Sequence, residues 1–165
     1  MALRDALLPE YDHEMASTRR LLERVPEAEG GWRPHAKSMS LGRLAAHVSE
    51  LPMWVPMIAG TDEFDFAVGD NRGAEGFASR DTLLRDFDDR VRKARETIAA
   101  TDDAAMMRPW TFLNDGHVVF TMPKAAVLRS FFLNHLIHHR GQLSVYLRLR
   151  DVPLPGLYGP TADEG

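Results

Sequence analysis

The chain carries at residues 134–143 the stretch NHLIHHRGQL, and the interpretation of the fold starts from it. Its apolar positions recur with the spacing of a helix, so His135 and His139, four residues apart, project from one face. Two imidazoles at this spacing can bind a divalent metal ion, and a tight site then needs at least one more ligand. The alternative is a pair of histidines whose hydrogen bonds are satisfied inside a helix bundle. Spacing alone leaves both interpretations open.

A third histidine stands in an apolar stretch nearer the amino terminus. Residues 41–51 read LGRLAAHVSEL, in which His47 adjoins a stripe of leucine and valine side chains. Facing helices of a bundle can bring ligands together from distant parts of a sequence. His47 is therefore the candidate third ligand beside His135 and His139.

Three further polar residues belong to the same late stretch. His138 lies about 100° around the helix from the second histidine of the pair, so we interpret it as an interhelical or surface histidine. Gln142 has two open roles, either as a group that points toward the metal to bind substrate or water, or as a buried amide that orients a histidine. For Arg140 we favour a structural ion pair with an acidic residue such as Glu14 or Glu50 over a role in holding an anionic substrate.

Four helical segments are predicted from apolar residues that recur every three or four positions. They run over residues 2–25, 41–59, 80–100 and 123–149. Pro52 and Pro56 lie inside the second segment, and we expect a bend or an irregular C-terminal half there because proline removes a backbone donor and clashes with the preceding turn. Residues 60–79 are expected to form a polar loop, and Asp-Gly at 115–116 predicts a short hairpin. The predicted fold is an all-α, up-down four-helix bundle with this hairpin before the last helix.

Composition and charge narrow the class of protein. The 165 residues fit one domain, and 44% apolar with 27% charged residues is ordinary for a globular chain. The formal net charge is −4 and basic residues alternate with acidic ones, so we expect no nucleic-acid binding. The absence of cysteine means that any metal is held by nitrogen and oxygen. We find neither a membrane-spanning apolar run nor a signal peptide, and expect a cytoplasmic protein.

The early Leu-Ala-Ala-His of residues 44–47, paired with the late HLIHHRGQL of residues 135–143, resembles the DinB family, also called DinB/YfiT-like candidate metalloenzymes. The closing residues 151–160 also look like the end of many DinB-like chains, so the resemblance treats residues 1–165 as one DinB-like domain. It implies a site for one divalent metal ion, with zinc or nickel first among the candidates. The ligands that the resemblance implies are His47, His135 and His139.

The function implied by the resemblance is that of a metal-dependent hydrolase or a low-molecular-weight-thiol S-transferase acting on a small molecule. Some DinB-like proteins use thiols such as bacillithiol or mycothiol, and here the thiol would come from solution because the chain has no cysteine. The competing class is a non-catalytic metal-binding stress-response or partner-binding protein. DinB-like proteins are often homodimers, and we expect the apolar residues Leu8, Phe131 and Leu147 to lie on an outer face that would form such a dimer.

Overall fold

A computed structural model describes residues 2–68 and 75–164 of the chain. The helices are α1 Leu3–Leu22, α2 Leu41–Glu50, α3 Trp54–Gly60, α4 Arg80–Ala100, α5 Asp103–Met106, α6 Lys124–Val127 and α7 Asn134–Arg148. Glu27–Glu29 and Leu51–Met53 form 3-10 turns, and Leu128–Leu133 is a π-helical segment that joins α6 directly to α7. Helix α1 packs against α4 and α7, and α2 packs against the same two helices.

Local signals in the sequence set several of these boundaries. The hydroxyl of Ser40 accepts a hydrogen bond from the backbone N–H of Arg43 at 3.2 Å and caps α2. The hydroxyl of Ser79 caps α4 in the same way, and α4 has the bounds predicted for the third helix. The irregular geometry expected at the prolines is found, because α2 stops at Glu50 and Pro52 lies in a 3-10 turn before α3 begins.

The prediction of an all-α fold is wrong in one respect, since the chain also forms a small sheet. Its strands are β1 Glu63–Asp65, β2 Pro109–Asn114 and β3 His117–Pro123, in the order β1-β2-β3. Strands β2 and β3 are antiparallel and form the predicted hairpin, whose turn residues Asp115 and Gly116 both have positive φ, as a tight hairpin turn requires. Strand β1 pairs in parallel with β2 and arises from the segment expected to be a loop.

The sheet was only half predicted because β1 depends on a distant partner. Three residues are too few for an alternating pattern, and β1 exists through its pairing with β2, which lies far along the chain. The Asp65 carboxylate then accepts the N–H groups of Asp115 and Gly116 at 3.0 and 2.8 Å, which fixes β1 to the hairpin turn. The molecule is thus mostly helical with a three-stranded sheet, and the helical segments are more numerous than the four predicted. Residues 69–74 of the expected loop lie outside the described residues.

Helix α7 presents one side to the core of the protein. Leu136, Arg140, Leu143 and Leu147 are buried, at the spacing of one helix face. The assignment of Leu147 to an outer face is therefore wrong, while Leu8 and Phe131 are half-buried against the core. Within the described residues, none of the helices is both long and apolar enough to cross a membrane.

Candidate metal centre

The three histidines singled out in the sequence lie together between two helices. His47 extends from α2, and His135 and His139 extend from α7, which packs against α2. One ring nitrogen from each residue lies within 4.8 Å of the other two. The ring centroid of His47 is 5.2 Å from that of His135 and 4.6 Å from that of His139. We call these three residues the histidine group.

The spacing of the nitrogens fits a single metal ion. Two nitrogens bound at 2.0 to 2.1 Å with a tetrahedral angle are about 3.3 Å apart. The Nε2 atoms of His47 and His135 are 3.3 Å apart. Within residues 2–68 and 75–164 no carboxylate joins the histidine group. The donor set is therefore three imidazole nitrogens, which suits zinc, nickel, copper and iron.

Burial keeps the imidazoles in the form that can bind a cation. The pKa of His47 is lowered to about 4, mainly by desolvation on burial and also by the neighbouring His139, His135 and Arg43. Burial lowers the pKa of His135 to about 4 as well, with smaller contributions from nearby histidines. All three histidines are half-buried and, with their pKa values lowered, they are neutral at pH 7. A ligand must be neutral to donate its lone pair, so these electrostatics favour metal binding.

Gln142 fixes the orientation of one ring. Its Oε1 lies 2.7 Å from His139 Nδ1. An amide oxygen can only accept, so Nδ1 carries the proton and the lone pair of His139 is on Nε2. Of the two roles considered for Gln142, this contact agrees with that of an amide that orients a histidine. The side chain is, however, exposed and not buried as that role assumed. A hydrogen bond to the outer nitrogen is the usual support for a metal-bound histidine.

Comparison with known proteins identifies the family. The family model of the DinB superfamily matches residues 10–143, a range that includes the whole histidine group. The chain belongs to the DinB superfamily. A curated relative, the uncharacterized protein YrdA of Bacillus subtilis strain 168, is 42% identical over 43 residues. That match covers 26% of this chain and 25% of YrdA, so it spans about a quarter of the relative.

Solved structures of DinB-like proteins share the fold of this DinB-superfamily chain. One from Bacillus cereus ATCC 10987 has a TM-score of 0.70 at 21% sequence identity, over 93% of this chain and 97% of that one. Another, YjoA from Bacillus subtilis, has a TM-score of 0.70 at 18% identity, over 92% and 97% of the two chains. At these identities the likeness concerns the fold alone. The DinB family predicted from the two histidine motifs is confirmed.

His138 is a neighbour of the histidine group and not a member of it. Its side chain is exposed and its ring meets that of His139 edge to face, with centroids 4.9 Å apart. This placement agrees with the interpretation of His138 as a surface histidine. Phe131 also adjoins the histidine group, with its ring centroid 6.0 Å from that of His135. Sequence reasoning did not connect this residue with the site.

Arg140 points away from the histidine group into the core. Its Nη2 lies 2.6 Å from Glu14 Oε2, so the ion pair predicted with Glu14 is confirmed. Nη1 donates to the Glu14 carbonyl and to the Thr18 hydroxyl, and Nη2 also donates to the Tyr158 hydroxyl at 2.7 Å. Tyr158 in turn donates to the Glu14 carboxylate at 2.8 Å. Sequence reasoning missed Thr18 and Tyr158, because neither has a local pattern that ties it to Arg140.

Proposed function

We propose that His47, His135 and His139 bind one divalent metal ion, zinc or nickel, and leave part of its coordination shell open to a small-molecule substrate. The observation that carries the proposal is the meeting of three ring nitrogens within 4.8 Å of one another, from two different helices. Three protein ligands leave a position for water or substrate, which is the arrangement of catalytic rather than structural metal sites.

We propose that the reaction is hydrolysis or the transfer of a low-molecular-weight thiol in the cytoplasm. A divalent ion bound at the histidine group would lower the pKa of a coordinated water or thiol and polarise an oxygen of the substrate. The chain itself supplies three neutral imidazoles, and Gln142 holds the tautomer of His139 that directs Nε2 inward. Since the chain has no cysteine, a thiol would have to come from solution.

The proposal is tested by activity of the reloaded protein. Protein stripped with a chelator is loaded with zinc or nickel and assayed for ester hydrolysis and for transfer of bacillithiol or mycothiol to electrophilic acceptors. We expect activity above that of the free ion in the wild type and in the exposed control His138→Ala, and none in His139→Ala. Metal bound by the histidine group without any such activity would instead support a non-catalytic metal-binding or partner-binding protein.

A two-fold homodimer remains a proposal drawn from the family resemblance. Leu147 cannot contribute to its interface because the side chain is fully buried, whereas Leu8 and Phe131 keep some exposure. Light scattering at micromolar concentration should give about twice the chain mass of 18.6 kDa. A mass near that of one chain would contradict the dimer.

A further inference from the structure

Six aromatic side chains form a connected cluster beside the histidine group, and we call it the aromatic wall. Neighbouring ring centroids lie 5.0 to 6.5 Å apart, the range of favourable aromatic pairs. The wall takes up four of the eight phenylalanines and two of the three tryptophans of the chain. Its members are Trp54, Phe64, Trp110, Phe112, Phe120 and Phe131.

Side chains alternate between the two faces of the hairpin, and those on one face make up most of this wall. Trp110 and Phe112 stand two residues apart on β2, so their side chains share one face of the sheet. Phe120 on β3 is paired with Phe112, and the two rings are stacked with centroids 5.5 Å apart. Phe64 on β1 pairs with Phe112 from the other side. Trp54, the first residue of α3, closes over this sheet face with its ring centroid 5.1 Å from that of Phe64.

Phe131 joins the aromatic wall to the histidine group. Its ring centroid lies 5.0 Å from that of Trp54, 5.2 Å from that of Phe112 and 6.0 Å from that of His135. Phe131 lies in the π-helical segment that leads into α7, one turn before His135. Such segments are rare in proteins and frequent at functional sites. One member of the wall, Phe131, is therefore in ring contact with the candidate metal ligand His135.

The rings of the wall are not sealed in the core. Trp110 is fully buried, but the other five members are half-buried. By contrast, Phe87 and Phe132 are each 1% exposed. The chain thus keeps partly exposed aromatic rings, one of which, Phe131, contacts the candidate metal ligand His135. Small-molecule sites have this composition, a mostly apolar lining with a few polar groups that fix orientation.

We propose that the aromatic wall binds the apolar part of the substrate, and that this substrate carries an aromatic ring close to the group that binds at the histidine group. The inference rests on the proposed function of that group. Phe131 is in ring contact with both His135 and Trp54, so a ring held against Phe131 would lie next to the histidine group. The wall contains no charged member, and edge-to-face or offset contacts favour a flat ring over an alkyl chain.

Two metal-binding probes that differ only in their apolar part test the inference. Benzohydroxamate and acetohydroxamate share one coordinating group and carry a phenyl ring or a methyl group. Their binding to the full chain loaded with zinc is measured by calorimetry, and each affinity is divided by that for the free ion. We expect the wild type to prefer benzohydroxamate by about tenfold or more, from the additional apolar surface that the ring buries.

Variants of the wall locate the source of this preference. Trp54→Ala and Phe131→Leu should bring the preference close to that of the free ion while metal binding is retained, and the leucine keeps an apolar side chain in the packed position. Trp32→Ala is the matched control, because Trp32 is half-buried and packs edge to face on Tyr146, outside the wall. The control should keep the preference of the wild type.

The possible failures are distinguishable. Equal affinities for the two probes in the zinc-loaded wild type, or an unchanged preference in both wall variants, would overturn the inference and leave the metal site standing. A protein that binds no zinc, or binds zinc but neither probe, would overturn the proposed function and the inference with it. A change of mass in Phe131→Leu with an unchanged probe preference would assign the wall to a second copy of the chain and would also overturn the inference.

Discussion

His139 and Arg140 are adjacent in α7, yet their side chains lie in opposite kinds of environment. Arg140 is 1% exposed and Glu14 is 4% exposed, and the two are joined by an ion pair and by hydrogen bonds that include the Tyr158 hydroxyl. His139 belongs to a group of half-buried neutral imidazoles whose nitrogens converge on one point. The protein completes the first set of polar contacts by itself, whereas the second set brings together three ring nitrogens that could hold a cation.

This difference separates stability from function within one helix. A buried ion pair whose hydrogen bonds are satisfied holds α1, α7 and the carboxyl-terminal segment together. Three imidazoles held near one another and kept neutral by burial instead present lone pairs that could bind a cation. Substitutions in the Arg140 network should therefore lower stability, whereas substitutions at the histidine group should change metal binding.

The largest effect on stability is expected from breaking the Arg140 network. Arg140→Met leaves the buried Glu14 carboxylate without its cation, which should lower the free energy of unfolding by about 3 to 5 kcal/mol. Chemical denaturation measures this change, and exposed His138→Ala should stay within about 0.5 kcal/mol of the wild type. Adding Glu14→Leu to Arg140→Met should recover much of the loss. A single-variant loss below about 1 kcal/mol would show that the network is not needed for stability.

A smaller effect, on metal affinity, is expected at Gln142. Gln142→Ala removes the acceptor that holds the His139 tautomer and should weaken metal binding about 10- to 100-fold. Gln142→Glu keeps an acceptor oxygen at the same position and should retain the affinity of the wild type. Competition with a chromophoric chelator measures both constants. Equal affinities for the alanine variant and the wild type would mean that the 2.7 Å contact does not support the site.

A third effect concerns the stability of the metal-free protein as the pH falls. The pKa values of His47 and His135 are about 4 in the folded chain, against an ordinary value of 6.5. Between pH 6.5 and 4 the unfolded chain binds more protons, so stability that is fully present above pH 6.5 decreases as the pH falls through this window. Metal loading should decrease too, because protons compete for the same nitrogens.

Unfolding measurements at pH 7 and pH 5 test this dependence. The double variant His47→Gln with His135→Gln removes the two titrating groups, so its metal-free form should lose less stability than the wild type over the same interval. The comparison of the two slopes cancels the contribution of the other ionisable residues. Equal slopes would show that burial of these two imidazoles does not govern the pH response.

The histidine group was accessible from the sequence because each part of its signal is local. Spacing on one helix gave the pair, and the apolar stripe around His47 together with the family motifs gave the third residue. The bounds of α4 were accessible for the same reason, since Ser79 caps its first turn directly.

The features that were not predicted depend on contacts between residues far apart in the chain, or on which side of a helix a residue faces. Strand β1 is three residues long and depends on β2, and Tyr158 reaches Glu14 from the far end of the chain. The error at Leu147 concerns the side of α7 on which this residue lies, since it shares the buried face of Leu136, Arg140 and Leu143. The aromatic wall was also not predicted, because its rings meet only when the sheet and the helical segments packed on it come together.

The metal content of purified protein tests the central claim most directly. The wild type, His139→Ala and His138→Ala are prepared side by side, loaded with zinc or nickel, and measured by elemental analysis, with circular dichroism to check that each is folded. We predict one ion per chain in the wild type and in His138→Ala, and almost none in His139→Ala with its helicity unchanged. Metal retained by His139→Ala and lost from His138→Ala would contradict the assignment of His47, His135 and His139 as the metal ligands.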